Sequence, residues 1–180
     1  VIAPLRVAED TWSRECAKWD HLKDLKIAKI LGTAAERKKA IEQDADIYII
    51  NRENVVWLVE TFEKSKIPWP YDMIVIDELS SFKNPQAKRF RALRKVMPRV
   101  SRVVGLTGTP SANGLMDLWS EFRVLDMGKR LGRFITHYRD SFFIPDKRNG
   151  MQVFSYKLRP GAEAEIYRRI GDITISMKSA

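Results

Sequence analysis

Cysteine is nearly missing from this sequence. Cys16 is the single one among 180 residues, so no internal disulfide can form and a disulfide-framed scaffold is excluded. Histidine is almost as scarce. His21 and His137 stand far apart with no second thiol near either, which excludes a Cys/His zinc site. Long apolar runs are missing too: Asp46-Ile-Tyr-Ile-Ile50 and Met73–Ile76 have strand length, whereas a membrane-spanning helix needs roughly twenty apolar residues. No membrane partner is expected. Only nine Gly and eight Pro, beside 44% hydrophobic and 31% charged residues, exclude a collagenous, low-complexity or disordered chain. Val1 opens on a strand-like run without a charged leader, so a cytoplasmic location is the expectation.

Acidic residues are the minority charge. The 32 Lys and Arg against 23 Asp and Glu leave a formal net charge of +9, which suits a polyanionic partner and equally a basic protein with none. At this length one compact unit with a true core is expected.

Short apolar runs alternate with helical patterns, as in a mostly parallel sheet built from βαβ units with helices on both faces. Val1–Ala3 reads as the end of a strand. Pro4 opens a helix to about Trp19, whose Leu5, Ala8, Trp12, Cys16 and Trp19 form an apolar stripe. Leu25–Leu31 alternates like a half-buried strand. Thr33 with Glu36 three residues on has capping-box spacing for a helix to about Gln43. Strand 46–50, helix 53–64 and the proline-rich connection 66–71 lead to Met73–Ile76. That run lacks alternation, so it reads as a central strand covered on both faces. Helix 86–97, strand 102–106 and helix 115–125 complete the α/β pattern. Beyond Asp126 the pattern loosens into short elements, with a strand over 152–158, a helix over 162–170 and a last strand over 172–177. The expected division is a sheet domain over 1–126 and a small subdomain over 127–180.

Asp77 and Glu78 are the sharpest chemical feature. Two adjacent carboxylates close an apolar strand and so project from the carboxyl edge of a sheet, where open α/β folds bind ligands. There one carboxylate can hold Mg²⁺ through water while its neighbour orients or deprotonates an attacking water. A second strand, Val104–Leu106, runs into Thr107-Gly-Thr-Pro110 at the same edge. Gly108 permits close backbone approach, and the hydroxyls of Thr107 and Thr109 can sense the charge state beside them. Taken singly, each loop is also what a solvated turn or a Thr helix cap looks like.

These residues resemble the first RecA-like domain of a superfamily-two helicase-type ATPase, and most of all the Swi/Snf group. Asp77-Glu78-Leu79-Ser80 stands where that family has its Asp-Glu box, and Phe82-Lys-Asn84 is similar to the group's Leu-Lys-Asn extension. Leu106-Thr-Gly-Thr-Pro-Ser-Ala-Asn113 resembles Leu-Thr-Gly-Thr-Pro-x-Gln-Asn. Ile2-Ala-Pro-Leu5 with Trp12 and Glu15–Trp19 resembles the Pro-Leu motif and its tryptophan-bearing helix, and Ile50-Asn-Arg-Glu53 falls where the next DNA-facing motif lies.

The resemblance implies ATP hydrolysis coupled to movement on DNA, usually duplex. It implies Asp77 as the Mg²⁺ holder through water and Glu78 as activator of the hydrolytic water. Ser80, Thr107, Gly108 and Thr109 would be coupling residues, and Pro4, Arg6, Asn51, Arg52, Lys83 and Asn84 the DNA-facing ones. Ser80 replaces the box's usual His, leaving only a shorter hydroxyl contact, and Ala112 replaces a Gln. A Gly-x-x-x-x-Gly-Lys-Ser/Thr phosphate loop occurs nowhere in the 180 residues. The expectation is therefore a fragment, inactive by itself, of a phage or bacterial motor whose second RecA-like domain lies elsewhere in the parent chain.

From Lys83 to Arg102 there are eight basic residues and no acid, and Lys88, Arg91 and Lys95 share a helix face with Arg94 nearby. Such a face suits phosphate contacts or plain solvation. The rival reading is a catalytically inactive nucleic-acid-binding module. A metal-dependent nuclease is disfavoured because no further carboxylate cluster accompanies Asp77 and Glu78. Trp12, Trp19 and Trp119 read as core, Trp69 between two prolines as exposed, and Cys16 as a small buried residue.

Overall fold

A computed structural model describes residues 1–108 and 114–177, with only the backbone of Arg148 described. By their contacts they form two compact units, Val1–Pro110 and Ser111–Ala180.

In the first unit, β1 (Ile2–Ala3), β2 (Ile27–Ile30), β3 (Ile47–Asn51), β4 (Met73–Asp77) and β5 (Arg102–Leu106) form one sheet in the order β2-β3-β1-β4-β5. Every pairing is parallel. The connecting helices are α1 (Trp12–Lys18), α2 (Ala34–Ile41), α3 (Val55–Ser65) and α4 (Lys88–Val96). The first crossover, β1 to β2, runs across the sheet in the direction opposite to the other three. Right-handed crossovers therefore put α1 on one face and α2, α3 and α4 on the other. Packing agrees with this: Ala8, just ahead of α1, is buried with Ala3 and Ile49. In-register parallel neighbours share a face, so Ile2, Ile50 and Ile76 lie on the α3 side. There they bury with Val55, Leu58, Val59, Phe90 and Leu93.

The sequence patterns locate the elements well, with four corrections. Met73–Asp77 is an interior strand, but the middle position belongs to β1. It is also covered unequally: Ile74 and Ile76 are buried while Met73 is 47% exposed, because the turn before α1 packs over β1 and β3 and α1 meets β4 at Asp77, the end opposite Met73. The helical stripe starting at Leu5 breaks at both ends, since Leu5 and Trp19 are exposed. A π-helical turn over Val7–Thr11 shifts the phase after Leu5, and α1 stops at Lys18, leaving Trp19 extended. Trp69, by contrast, is buried, set edge-on between Phe62 at 5.7 Å and Tyr71 at 5.0 Å. The capping box at Thr33 and Glu36 forms as its spacing predicts.

The second unit holds α5 (Leu118–Asp126), α6 (Ile135–Phe142), an antiparallel hairpin of β6 (Phe143–Asn149) and β7 (Gln152–Leu158), and α7 (Ala162–Ile170). Helix 118–126, which the sequence pattern attaches to the sheet domain, thus falls in this unit. Arg130 grips Asp126 and, through two nitrogens, Asp172. The strand expected over 172–177 is not formed: residues 174–177 are irregular and Ile175 and Met177 lie almost fully exposed. Alternation alone gave that expectation, and among the described residues no neighbouring strand pairs with it. Among them, too, no helix is long and apolar enough to cross a membrane.

Because Leu93 is fully buried between α4 and the sheet, Leu93→Ala should destabilise the first unit by about 2–5 kcal/mol. Chemical denaturation of the two proteins measures this, and an unchanged midpoint would contradict the packing.

Candidate nucleotide and nucleic-acid edge

A parallel sheet ends all its strands on the same side, so the segments leaving β1, β3, β4 and β5 meet at one carboxyl edge. Those segments are Pro4–Arg6, Asn51–Arg52, Asp77–Glu78 and Thr107–Gly108. The residues singled out in sequence are thereby brought together, with Lys83 and Asn84 a short 3₁₀ turn beyond Glu78. Thr109 lies outside the described residues, as do Ser111, Ala112 and Asn113.

Asp77 ends β4 on the face that carries α1, and the Trp12 indole Nε1 donates to its Oδ2 at 2.9 Å. The apolar spacing of the helix assigns Trp12 to the core, whereas the structure turns its indole N–H to a carboxylate. The polar edge of the indole was the available signal, since a partly buried Trp N–H needs an acceptor. Among the described residues Oδ1 of Asp77 has no donor. A carboxylate with one oxygen pinned and the other unengaged fits Mg²⁺, which takes one or two carboxylates and otherwise water and phosphate oxygens. No group of three or more His, Cys, Asp or Glu side chains placed to hold a metal ion exists among the described residues.

Glu78 has a left-handed backbone, φ 64° and ψ 62°. That conformation is uncommon for a residue with a Cβ and recurs where function imposes it. Its side chain is nonetheless fixed: the Ser80 hydroxyl donates to Oε1, and the Thr107 hydroxyl lies 3.5 Å from the same oxygen. The short hydroxyl expected at Ser80 thus joins the β5 loop indirectly, with Glu78 as the shared centre. Among the described residues nothing lies within 4 Å of where a Cβ on Gly108 would stand, so the close approach expected there is not seen among them.

The four DNA-facing candidates nearest the sheet differ in availability. Arg6 is exposed and Pro4 half-buried. Asn51 is buried, with its amide donating to Glu53 Oε2 at 3.0 Å and its carbonyl accepting from Asn54 at 2.6 Å, so it braces its loop. Arg52 Nε meets Glu53 Oε1 at 2.9 Å, and bonds to Asn51 and Arg52 hold the Glu53 carboxyl below the usual range despite partial burial. Asn84 is exposed and accepts from the Gln86 backbone N–H at 2.9 Å. On α4, Lys95 pairs with Glu63 at 3.1 Å and Arg91 donates to the Gln86 carbonyl at 3.0 Å, while Arg94 stacks toward Phe90.

A parallel α/β sheet with adjacent carboxylates at its carboxyl edge holds them where open α/β folds bind their ligands. The chain matches the SNF2-related domain family over residues 1–172 and belongs to it. It is 38% identical over its whole length to protein p41 of Acyrthosiphon pisum secondary endosymbiont phage 1, of which it spans 40%. Over 67% of its length it is 32% identical to the ISWI chromatin-remodeling complex ATPase ISW1 of Saccharomyces cerevisiae, spanning 10% of that protein. Among solved structures, the Sulfolobus solfataricus SWI2/SNF2 ATPase core in complex with dsDNA superposes with a TM-score of 0.61 at 30% identity, over 78% of this chain and 27% of that one. The fold is accordingly the first RecA-like domain of a Swi/Snf-type superfamily-two ATPase.

Replacing Glu78 tests the backbone strain directly. Glu78→Gly and Glu78→Ala both remove the carboxylate and differ only in the Cβ, so the Gly protein should be the more stable by about 1–2 kcal/mol. Equal thermal midpoints would mean that residue 78 is not held left-handed.

Proposed function

We propose that the protein containing this chain is an ATP-dependent motor that moves along duplex DNA, and that these residues are part of its first motor domain. The observation that carries the reading is the convergence of Asp77, Glu78, Thr107, Arg6 and Arg52 on one sheet edge. Membership of the SNF2-related family supports ATP and Mg²⁺ as cofactors, and the duplex in the Sulfolobus complex supports DNA as the partner.

In this reading Asp77 offers Oδ1 to water-bound Mg²⁺, which when bound neutralises phosphate charge. Glu78 accepts hydrogen bonds from Ser80 and stands beside Thr107, so its carboxylate is aimed before any water arrives. Such a fixed acceptor orients the attacking water and takes its proton. Thr107, just past β5 and beside the same oxygen, carries the state of that carboxylate on toward Thr109. Arg6 and Arg52 meet the DNA backbone with Pro4, Lys83 and Asn84, while Asn51 shapes the loop. These contacts position the duplex and read no sequence. The 180 residues contain no phosphate loop, and positioning with charge neutralisation supplies most of phosphoryl-transfer catalysis. The phosphate cradle and the second RecA-like domain must then come from other parts of the parent, and this chain alone should turn over ATP little or not at all.

ATP turnover by the full-length protein, with duplex and with single-stranded DNA, tests the reading beside Glu78→Gln. Duplex should stimulate turnover, and the variant should lose about 10²–10⁴-fold while holding its duplex affinity. A variant indistinguishable from a wild type that never hydrolyses ATP would leave a basic nucleic-acid-binding module instead. Arg6→Ala should in addition lower the salt dependence of duplex binding, by about 0.9 in the slope of log K against log salt. An unchanged slope would remove Arg6 from the interface.

A further inference from the structure

We infer that residues 4–18 form a mechanical link from the DNA backbone to the metal-holding carboxylate, with Trp12 as the positioning residue at its end. The inference rests on the motor reading above and adds to it a route separate from Thr107.

The link is built from three observations. Arg6, at the outer end, is exposed at the carboxyl edge. Next comes the π-helical turn Val7–Thr11, a wider turn that takes one more residue than an α-helical one and often occurs at functional sites. Trp12 follows immediately, and its indole N–H is donated to Asp77 Oδ2 at 2.9 Å. The extra residue sets the phase. Without it, α1 would be turned by about 100° per residue relative to β4, and the indole would leave Asp77.

The turn is anchored from outside. Wider turns disturb the backbone hydrogen-bond ladder, and here the Glu9 carbonyl accepts from the Lys29 ammonium of β2. Lys29 pairs in register with Ile49 and so stands on the α1 face of the sheet. Ala8, inside the turn, is fully buried against Ala3 and Ile49. The segment from Arg6 to Trp12 therefore has a fixed shape, and a displacement at Arg6 is carried to the indole. At the far end, the indole fixes which carboxylate oxygen faces Trp12 and which remains for the metal. Contact with duplex thereby sets the orientation of Asp77 before the nucleotide is hydrolysed.

The test uses the full-length protein and follows the indole N–H signal of Trp12 by nitrogen-15 NMR, assigned by its loss in Trp12→Phe. Duplex DNA alone, with neither nucleotide nor Mg²⁺, should shift this signal and leave those of Trp69 and Trp119 in place, and Asp77→Asn should move it in the free protein. Trp12→Phe, which retains an aromatic ring without the donor, should raise half-saturating Mg²⁺ about tenfold and remove most of the duplex stimulation, at unchanged duplex affinity. Lys29→Met, which releases the turn, should lower the stimulation in the same direction. If the signal ignores duplex, or if Trp12→Phe lowers the melting midpoint while Mg²⁺ dependence stays as in the wild type, Trp12 is a packing residue and the link is wrong. A wild type without duplex-stimulated turnover would overturn the motor reading and the link together. Normal stimulation with a silent indole overturns the link alone.

Discussion

Parallel, in-register pairing of β4 with β1 and β5 is the constraint on which the rest depends. Ile76 opposes Ile2 on one side and Gly105 on the other, and that register puts Asp77 level with the end of β1 and with Leu106. A slip of one residue would turn Asp77 to the α3 side and bury it among Leu58, Val59 and Leu93, where an unpaired carboxylate is costly. The isoleucines thus do more than fill the core. By fixing which face each residue takes, they decide that Asp77 meets Trp12.

Strain and bonding are balanced at the next residue. The left-handed Glu78 backbone costs of order 1–2 kcal/mol, and Ser80 and Thr107 offset it by engaging the carboxylate from two different segments. The Asp-Glu pair is therefore divided between two partners: Asp77 is tied to the first helix of the unit, Glu78 to the loop after β5. Each carboxylate is thereby held from a different part of the edge.

Much of this was legible in the sequence. An apolar run closed by Asp-Glu and a second strand running into Thr-Gly-Thr placed both carboxylates and Thr107 at one edge, and the parallel sheet follows from the βαβ alternation. What the sequence concealed depended on contacts between distant segments. The π turn has no propensity signature, so Leu5 and Trp19 looked like members of a stripe that the backbone phase excludes. Trp12 looked like core because an indole is mostly apolar, and its acceptor lies 65 positions away. Asn51 looked like a DNA contact from its motif, while its amide closes the turn against Glu53 and Asn54. Residues 172–177 alternate like a strand yet have no partner among the described residues, and alternation without a partner does not make a sheet.

The central claim is that the carboxyl edge at Asp77 is where the nucleotide's metal sits. The most direct measurement is a crystal of the full-length protein with Mn²⁺ in place of Mg²⁺ and a non-hydrolysable ATP analogue, located by anomalous scattering. The account predicts the Mn²⁺ peak one water away from Asp77, on the side of the carboxylate turned from Trp12. A well-occupied peak remote from Asp77 and Glu78 would contradict it.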